Sequence, residues 1–354
     1  MERVVYLFGA GFSAPLGLPV MSNFLVKSKD LFFQGNHKFS HFQGVFDTIS
    51  DLSVIKNYFD ADLFNIEEIL SILEMQENLE GSTLSNEFTR YISDVINGYT
   101  PSITARDSWP ANWHDFLFGS NNIWRPYGFL ISSLFGLKFQ EVVDNNIRTP
   151  RFSFLENRDS QYSVVTLNYD RVIESLIDFM VENLVHDEDL QFITNPIRET
   201  QIDEIKNKVP LAKLHGSVES EIVPPTWSKM LSDSILAAWK LAFDVISNSN
   251  QLRIIGYSLP TVDAYVKYLL KSGVLVSKHL KRIDVICLDR SGSVRSRYDE
   301  FIDFNYYRFA NADVVEYMKL IEDASNPRGF GRGSVIECDK LEEQHENFMV
   351  DRSA

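Results

Sequence analysis

Val4-Val5-Tyr6-Leu7-Phe8-Gly9-Ala10-Gly11-Phe12-Ser13-Ala14 is the stretch that decides the fold. Its five leading apolar residues read as a strand buried on both faces, the pattern of a parallel sheet. Glycines follow at once, in the spacing Gly9-x-Gly11-x-x-Ala14. Between a strand and a helix this spacing permits a tight turn, close backbone approach and a helix N-terminus directed at a diphosphate. A strand-to-helix turn without a ligand gives the same sequence. The acidic residue expected about 20 positions further on is Asp30, which ends no visible second strand and is not assigned to a ribose.

Working outward, strands are predicted over 162–167, 211–214, 252–255, 283–288 and 306–309. Helices are predicted from about 14, from Asn65, and over 84–96, 127–143, 172–180, 230–246 and 262–270. Asn65 reads as an N-cap, with Glu67 and Glu68 suited to the first turn. Alternating strands and helices predict an α/β fold with a doubly wound, parallel, Rossmann-like sheet. No strand signal of comparable strength lies within 35–155, so that region is expected to be a helical insertion covering one side of the pocket. The expected organisation is a catalytic domain over 1–320, with the insertion at about 35–155, and a C-terminal tail over 321–354. The tail is Gly-rich through Asn326-Pro327-Arg328-Gly329 and then charged, and is expected to be mobile or partner-dependent.

Composition narrows the function. The chain has 354 residues, 44% of them hydrophobic, enough for a sizeable core. Its net charge of -15 argues against direct nucleic-acid binding, because such a surface cannot neutralise phosphates broadly. The basic residues of 267–282 (Lys267, Lys271, Lys278, Lys281 and Arg282) read as an ordinary solvated face. Two distant cysteines, Cys287 and Cys338, make neither a disulfide framework nor a zinc site, and no metal-binding histidine spacing occurs. There is no signal-peptide pattern and no apolar run of about 18 residues, so a cytoplasmic, non-membrane protein is expected.

Three more strand ends carry polar motifs: Thr166-Leu167-Asn168-Tyr169-Asp170, Leu214-His215-Gly216-Ser217 and Gly256-Tyr257-Ser258-Leu259-Pro260. Ligands of open α/β sheets lie beyond the carboxyl ends of the strands, so these loops and the first are expected at one pocket. Asn168 is a neutral carboxamide, able to orient a ribose hydroxyl or a water without adding charge; capping the next helix is the alternative, for which Asp170 is better placed and Thr166 also serves. His215 alone among seven histidines lies between a strand and a glycine. There an imidazole can act as general base, although a lone histidine is more often structural. Ser258 and nearby amides can hold a phosphate or ribose, or form a turn with Pro260 at the first helical position. Asp289 follows the 283–288 strand and can bind ribose hydroxyls or cap the next helix.

Together these residues resemble the sirtuin superfamily, and within it the bacterial sirtuin-like NAD hydrolases of antiphage defence. The resemblance spans about 3–320 and is carried by Gly9-Ala10-Gly11-Phe12-Ser13, Gly17-Leu18-Pro19, the Asn168, His215 and Gly256 motifs, and Pro224-Pro225-Thr226-Trp227. It implies an NAD-binding domain that cleaves the nicotinamide–ribose bond, with Asn168 and His215 as the catalytic pair. NAD is then a substrate, met by Gly9, Ala10, Gly11, Ser13, Gly17, Pro19, Thr166, Asp170, Gly216, Ser217, Gly256, Tyr257, Ser258 and Asp289. Two departures argue against peptide deacylation. The deacylases hold a structural zinc on four cysteines, and their Asp-Phe-Arg run is replaced here by Val20-Met21-Ser22. Water therefore becomes the expected acceptor. The alternatives are a non-catalytic subunit that binds NAD or ADP-ribose, and a protein deacylase or ADP-ribosyltransferase. The resemblance also implies gating by assembly, as a homo-oligomer or with a separately encoded ATPase of the DNA-translocase type.

Overall fold

The computed structural model describes residues 1–352 apart from 36, 60–61, 81–83, 145–146, 198–206, 221, 224–231, 262, 278 and 326–334. In chain order the strands are β1 (Glu2–Phe8), β2 (Leu137–Asp144), β3 (Ile147–Phe154), β4 (Ser160–Thr166), β5 (Phe192–Ile193), β6 (Val209–Lys213), β7 (Gln251–Ile255), β8 (Arg282–Ile286), β9 (Tyr307–Ala310) and β10 (Val335–Glu337). Seven make one sheet in the order β5-β6-β4-β1-β7-β8-β9, paired in parallel throughout. Without the short edge strand β5, the other six lie third, second, first, fourth, fifth, sixth by order of appearance. That is the doubly wound order, and its reversal opens a crevice at the ends of β1 and β7.

The apolar run of β1 follows from this position. Val4, Tyr6 and Phe8 enter one hydrophobic core, while Val5 and Leu7 enter the other on the opposite face. A strand that feeds two cores has no polar side. Helices Asp233–Ser247 and Ala264–Val276 supply one core; Arg125–Phe135 and Val314–Ser325 supply the other.

Helices Phe24–Gln34, Phe42–Leu52, Ile66–Glu80 and Leu84–Tyr99 separate β1 from the rest of the sheet in sequence. Asn65 Oδ1 accepts the Glu67 and Glu68 amides at 3.0 and 3.2 Å, capping its helix as the sequence predicted. The insertion is not wholly helical, however. The stretch 127–143 divides: a helix ends at Phe135, Gly136 takes φ +64°, and β2 starts at Leu137. β2 and β3 form an antiparallel hairpin in a second sheet with β10. Its period-two signal is real, since Leu137 and Phe139 face Phe154 and Phe152 across the ladder and all four are buried. The apolar helix directly before it made the run look continuous.

The expected tail is also corrected. β10 pairs with β2, and helix Leu341–Arg352 packs on the domain through Leu341, Phe348 and Met349. The Asn326-Pro327-Arg328-Gly329 run lies outside the described residues. The helix looks charged in sequence because its charges serve buried partners. Arg253, 1% exposed, donates to Glu342 at 2.6 Å and to Tyr6 at 2.8 Å. His345 lies between the Tyr317 hydroxyl at 3.1 Å and the Asp284 carboxylate at 2.9 Å. Arg308 bonds both Asp284 and Glu346.

Candidate functional site

A cavity of about 820 Å³ opens beyond the carboxyl ends of β1, β4, β6, β7 and β8, a size typical of small-molecule sites. The four polar motifs do converge there. Ala10, Gly11, Ser13 and Pro19 line it from the first loop, Asn168 and Asp170 from the second, His215 from the third, and Gly256, Tyr257 and Ser258 from the fourth. Gly9, Gly17, Thr166, Gly216, Ser217 and Asp289 are not part of the lining. Pro224-Pro225-Thr226-Trp227 lies outside the described residues.

The glycines of the first loop have a structural use that comes before any ligand. The Gly9 amide donates to Ile255 O at 3.0 Å and the Gly11 amide to Gly256 O at 2.8 Å. A Cβ at Gly11 would lie 2.8 Å from Gly256 O, and one at Gly256 would lie 2.4 Å from the Phe12 nitrogen. The loops after β1 and β7 therefore cross in backbone contact at the switch point. Where the sequence predicts a helix from about 14, the chain makes a short helix over Ala10–Ser13 and then a 3-10 turn over Ala14–Leu16.

Asn168 is 8% exposed and held by three bonds. Its amide nitrogen donates to Gly9 O at 3.0 Å and to Ser13 Oγ at 3.1 Å, and its backbone amide donates to Thr166 Oγ1 at 3.1 Å. Thr166 thus supports Asn168 from beneath. Asp170 Oδ1 accepts the Val172 amide at 3.0 Å, capping the first turn of Val172–Asn183. Burial pushes its carboxyl above the ordinary range, against the pull of the Lys213 ammonium, the Ser13 hydroxyl and that amide.

His215 is 1% exposed, placed by the turn after β6 in which Gly216 takes φ +78°. Its carbonyl accepts the Val223 amide at 3.0 Å, and its ring lies 5.8 Å from the Tyr169 ring, centroid to centroid. The Tyr169 hydroxyl reaches Glu67 at 3.4 Å, and the Tyr257 hydroxyl donates to Asp263 at 2.7 Å. Burial first, then Glu67 and Asp263, holds the Tyr169 phenol well above its usual range. Burial and Asp263 do the same for Tyr257.

Sequence reasoning did not single out Glu67, Asp263, Arg290 or Asp313 for the cavity, yet all line it. Glu67 was legible only as a first-turn glutamate; nothing local told that its helix starts at the pocket. Asp263 follows the fourth motif by three residues and Arg290 follows Asp289, so proximity to a motif was the available signal. Asp289 itself serves the protein. Its carboxylate accepts the Arg295 amide at 2.9 Å, and although desolvation opposes it, amides of the turn and first helical residues hold that carboxyl below its usual range. Ile66, Ile92 and Ile96 of the insertion form an apolar wall. Among the described lining residues Arg290 is the one arginine or lysine, against carboxylates of Glu67, Asp170, Asp263 and Asp313. Cys287 also lines the cavity, and burial pushes its thiol up to about 12.

No protein-family model matches the chain, and no curated protein matches it. Among solved structures, a Sir2–p53 peptide–NAD+ complex is similar over 91% of this chain and 92% of its own, at 12% identity and a TM-score of 0.39. A Sir2 complex with the inhibitor EX-527, 2′-O-acetyl-ADP-ribose and deacetylated p53 peptide is similar over 91% and 93%, at 14% identity and a TM-score of 0.31. At these values the likeness adds nothing to what the sheet order already shows.

Proposed function

We propose that the chain is an NAD hydrolase, cleaving NAD to nicotinamide and ADP-ribose without a metal. The observation that carries this reading is the meeting of Asn168 and His215 at one cavity, on the switch point of a doubly wound sheet. Such a switch point is where dinucleotides bind. The reaction forms a bond from a water oxygen to C1′ of the nicotinamide ribose. The C1′–N1 bond breaks and its electron pair neutralises the pyridinium ring. Asn168 orients a ribose hydroxyl or the water, and His215 takes the proton the water loses. The carboxylate-rich lining favours the cationic, oxocarbenium-like centre over neutral species.

Resemblance in the sequence motifs extends the proposal to NAD depletion in antiphage defence by a cytoplasmic homo-oligomer. In this reading activity is gated by assembly, including assembly with an ATPase partner. The test is nicotinamide release from NAD by wild type, His215→Ala and Asn168→Ala. Loss of a positioned base is expected to cost about 100- to 10,000-fold in His215→Ala, with the fold intact by circular dichroism. Comparable release from the folded variant removes the role given to His215. Saturable NAD binding without release, with partner added, favours a regulatory subunit instead.

A further inference from the structure

The neighbours of Asn168 settle which way its amide faces. A carbonyl oxygen accepts hydrogen bonds and cannot donate one. Gly9 O lies 3.0 Å from one terminal atom of the Asn168 side chain, so that atom is Nδ2. The same nitrogen lies 3.1 Å from Ser13 Oγ. An amide nitrogen has two protons and accepts nothing, so both protons are committed and Ser13 must be the acceptor. The Ser13 hydroxyl is also among the groups that pull the Asp170 carboxyl down. Ser13 is 2% exposed, which leaves little water to compete for these bonds. Oδ1 remains. Among the described residues no group donates to it, and Asn168 lines the cavity.

We infer that Ser13 is a positioning residue: by accepting from Asn168 Nδ2 beside Gly9 O, it fixes Asn168 with Oδ1 toward the substrate. Turning the amide over would set its oxygen against Gly9 O, which has no proton to give, and would take Nδ2 away from Ser13 Oγ. The group that meets Asn168 must therefore be a donor, a ribose hydroxyl or a water. A phosphate or carboxamide oxygen at that position is repelled. Ser13 thereby acts through Asn168 and not as a phosphate contact of the glycine loop. The effect on rate rests on the hydrolase reading above; the orientation does not.

Two measurements on the full chain separate these. The first follows nicotinamide release by wild type, Ser13→Ala and Ser13→Thr. Loss of one such bond is expected to lower kcat about ten-fold or more in Ser13→Ala. KM for NAD should change less than about three-fold, and Ser13→Thr should recover most of the rate. A kcat in Ser13→Ala within about two-fold of wild type, or a loss confined to KM, overturns the inference. The second needs no turnover and no variant. In the wild type both Asn168 Nδ2 protons should exchange with solvent at least about ten-fold more slowly than those of an exposed asparagine, because both are hydrogen-bonded and shielded. Rapid exchange of either proton overturns the orientation. Slow exchange in a protein that releases no nicotinamide even with the partner added sustains the orientation and discards the hydrolase reading.

Discussion

At the scale of single residues, the glycines show how one sequence signal serves two purposes. The Gly9-x-Gly11 spacing reads as room for a ligand. The structure uses it as room for Gly256 and Tyr257, whose backbone atoms a Cβ at Gly9 or Gly11 would strike. Gly17 and Gly256 separate strain from contact. Gly17 has φ +98° and its nearest neighbour would lie 4.0 Å from an added Cβ. Gly17→Ala should therefore cost only left-handed strain, about 1–2 kcal/mol. Gly256, at φ +66°, adds a 2.4 Å backbone collision to comparable strain. Gly256→Ala should cost about 3 kcal/mol or more. Urea denaturation of both variants checks the ordering; equal losses would remove the loop crossing as the reason for Gly256. Asn168 and His215 were legible because each follows a strand and precedes a turn. The carboxylates of Glu67 and Asp313 were not, since each reads locally as a helix-start residue and only the packing brings those starts to the cavity.

At the scale of elements, the two misread segments are joined to each other. β10, from the supposed tail, pairs with β2, from the supposed helix. Neither strand can be found alone, because β10 has three residues and β2 continues an apolar helix without a polar break. The C-terminal helix escapes a hydrophobic-pattern search for a different reason: it docks through Glu342 and His345 as much as through Leu341 and Phe348. It is expected to be indispensable. A chain ending at Ser325 exposes Tyr317 and the Arg253 guanidinium and should lose cooperative unfolding by circular dichroism. The milder change Glu342→Ala leaves Arg253 buried without its carboxylate and should cost about 3 kcal/mol in denaturant midpoint analysis. A truncated chain that melts like the full one would return these residues to the status of a tail.

At the scale of the molecule, this buried network ties stability to pH. Burial, with the Arg253 guanidinium beside it, lowers His345 to about 4, below its unfolded value of about 6.5. Between those values the unfolded chain binds a proton that the folded chain refuses, so stability falls as pH drops through this window. The difference corresponds to about 3 kcal/mol. Asp284 acts in the same direction at lower pH. Desolvation opposes its ionisation, but Arg308 and His345 hold it at about 2, so its contribution is present above the unfolded carboxyl value and lost as pH falls toward 2. Unfolding free energy measured from pH 7 to pH 4 should decline, and His345→Gln should remove about one proton from the slope between 6.5 and 4. A slope unchanged by that substitution would place the titration elsewhere.

The sequence by itself determined the sheet and the loops at its ends, because both are local facts: a strand buried on two faces must be apolar throughout, and a turn that crosses another backbone must contain glycine. It also brought Asn168 and His215 forward as candidates, since position after a strand is a local property too. The tertiary structure decided which loops meet, what the glycines approach, and which charges are buried. It set Glu67 against Tyr169, Asp263 against Tyr257 and Ser13 against Asn168. It also turned a charged C-terminus into part of the core. Those outcomes depend on pairs of residues far apart in the chain, such as Arg253 with Glu342, and no local pattern of periodicity or propensity records a partner 89 residues away.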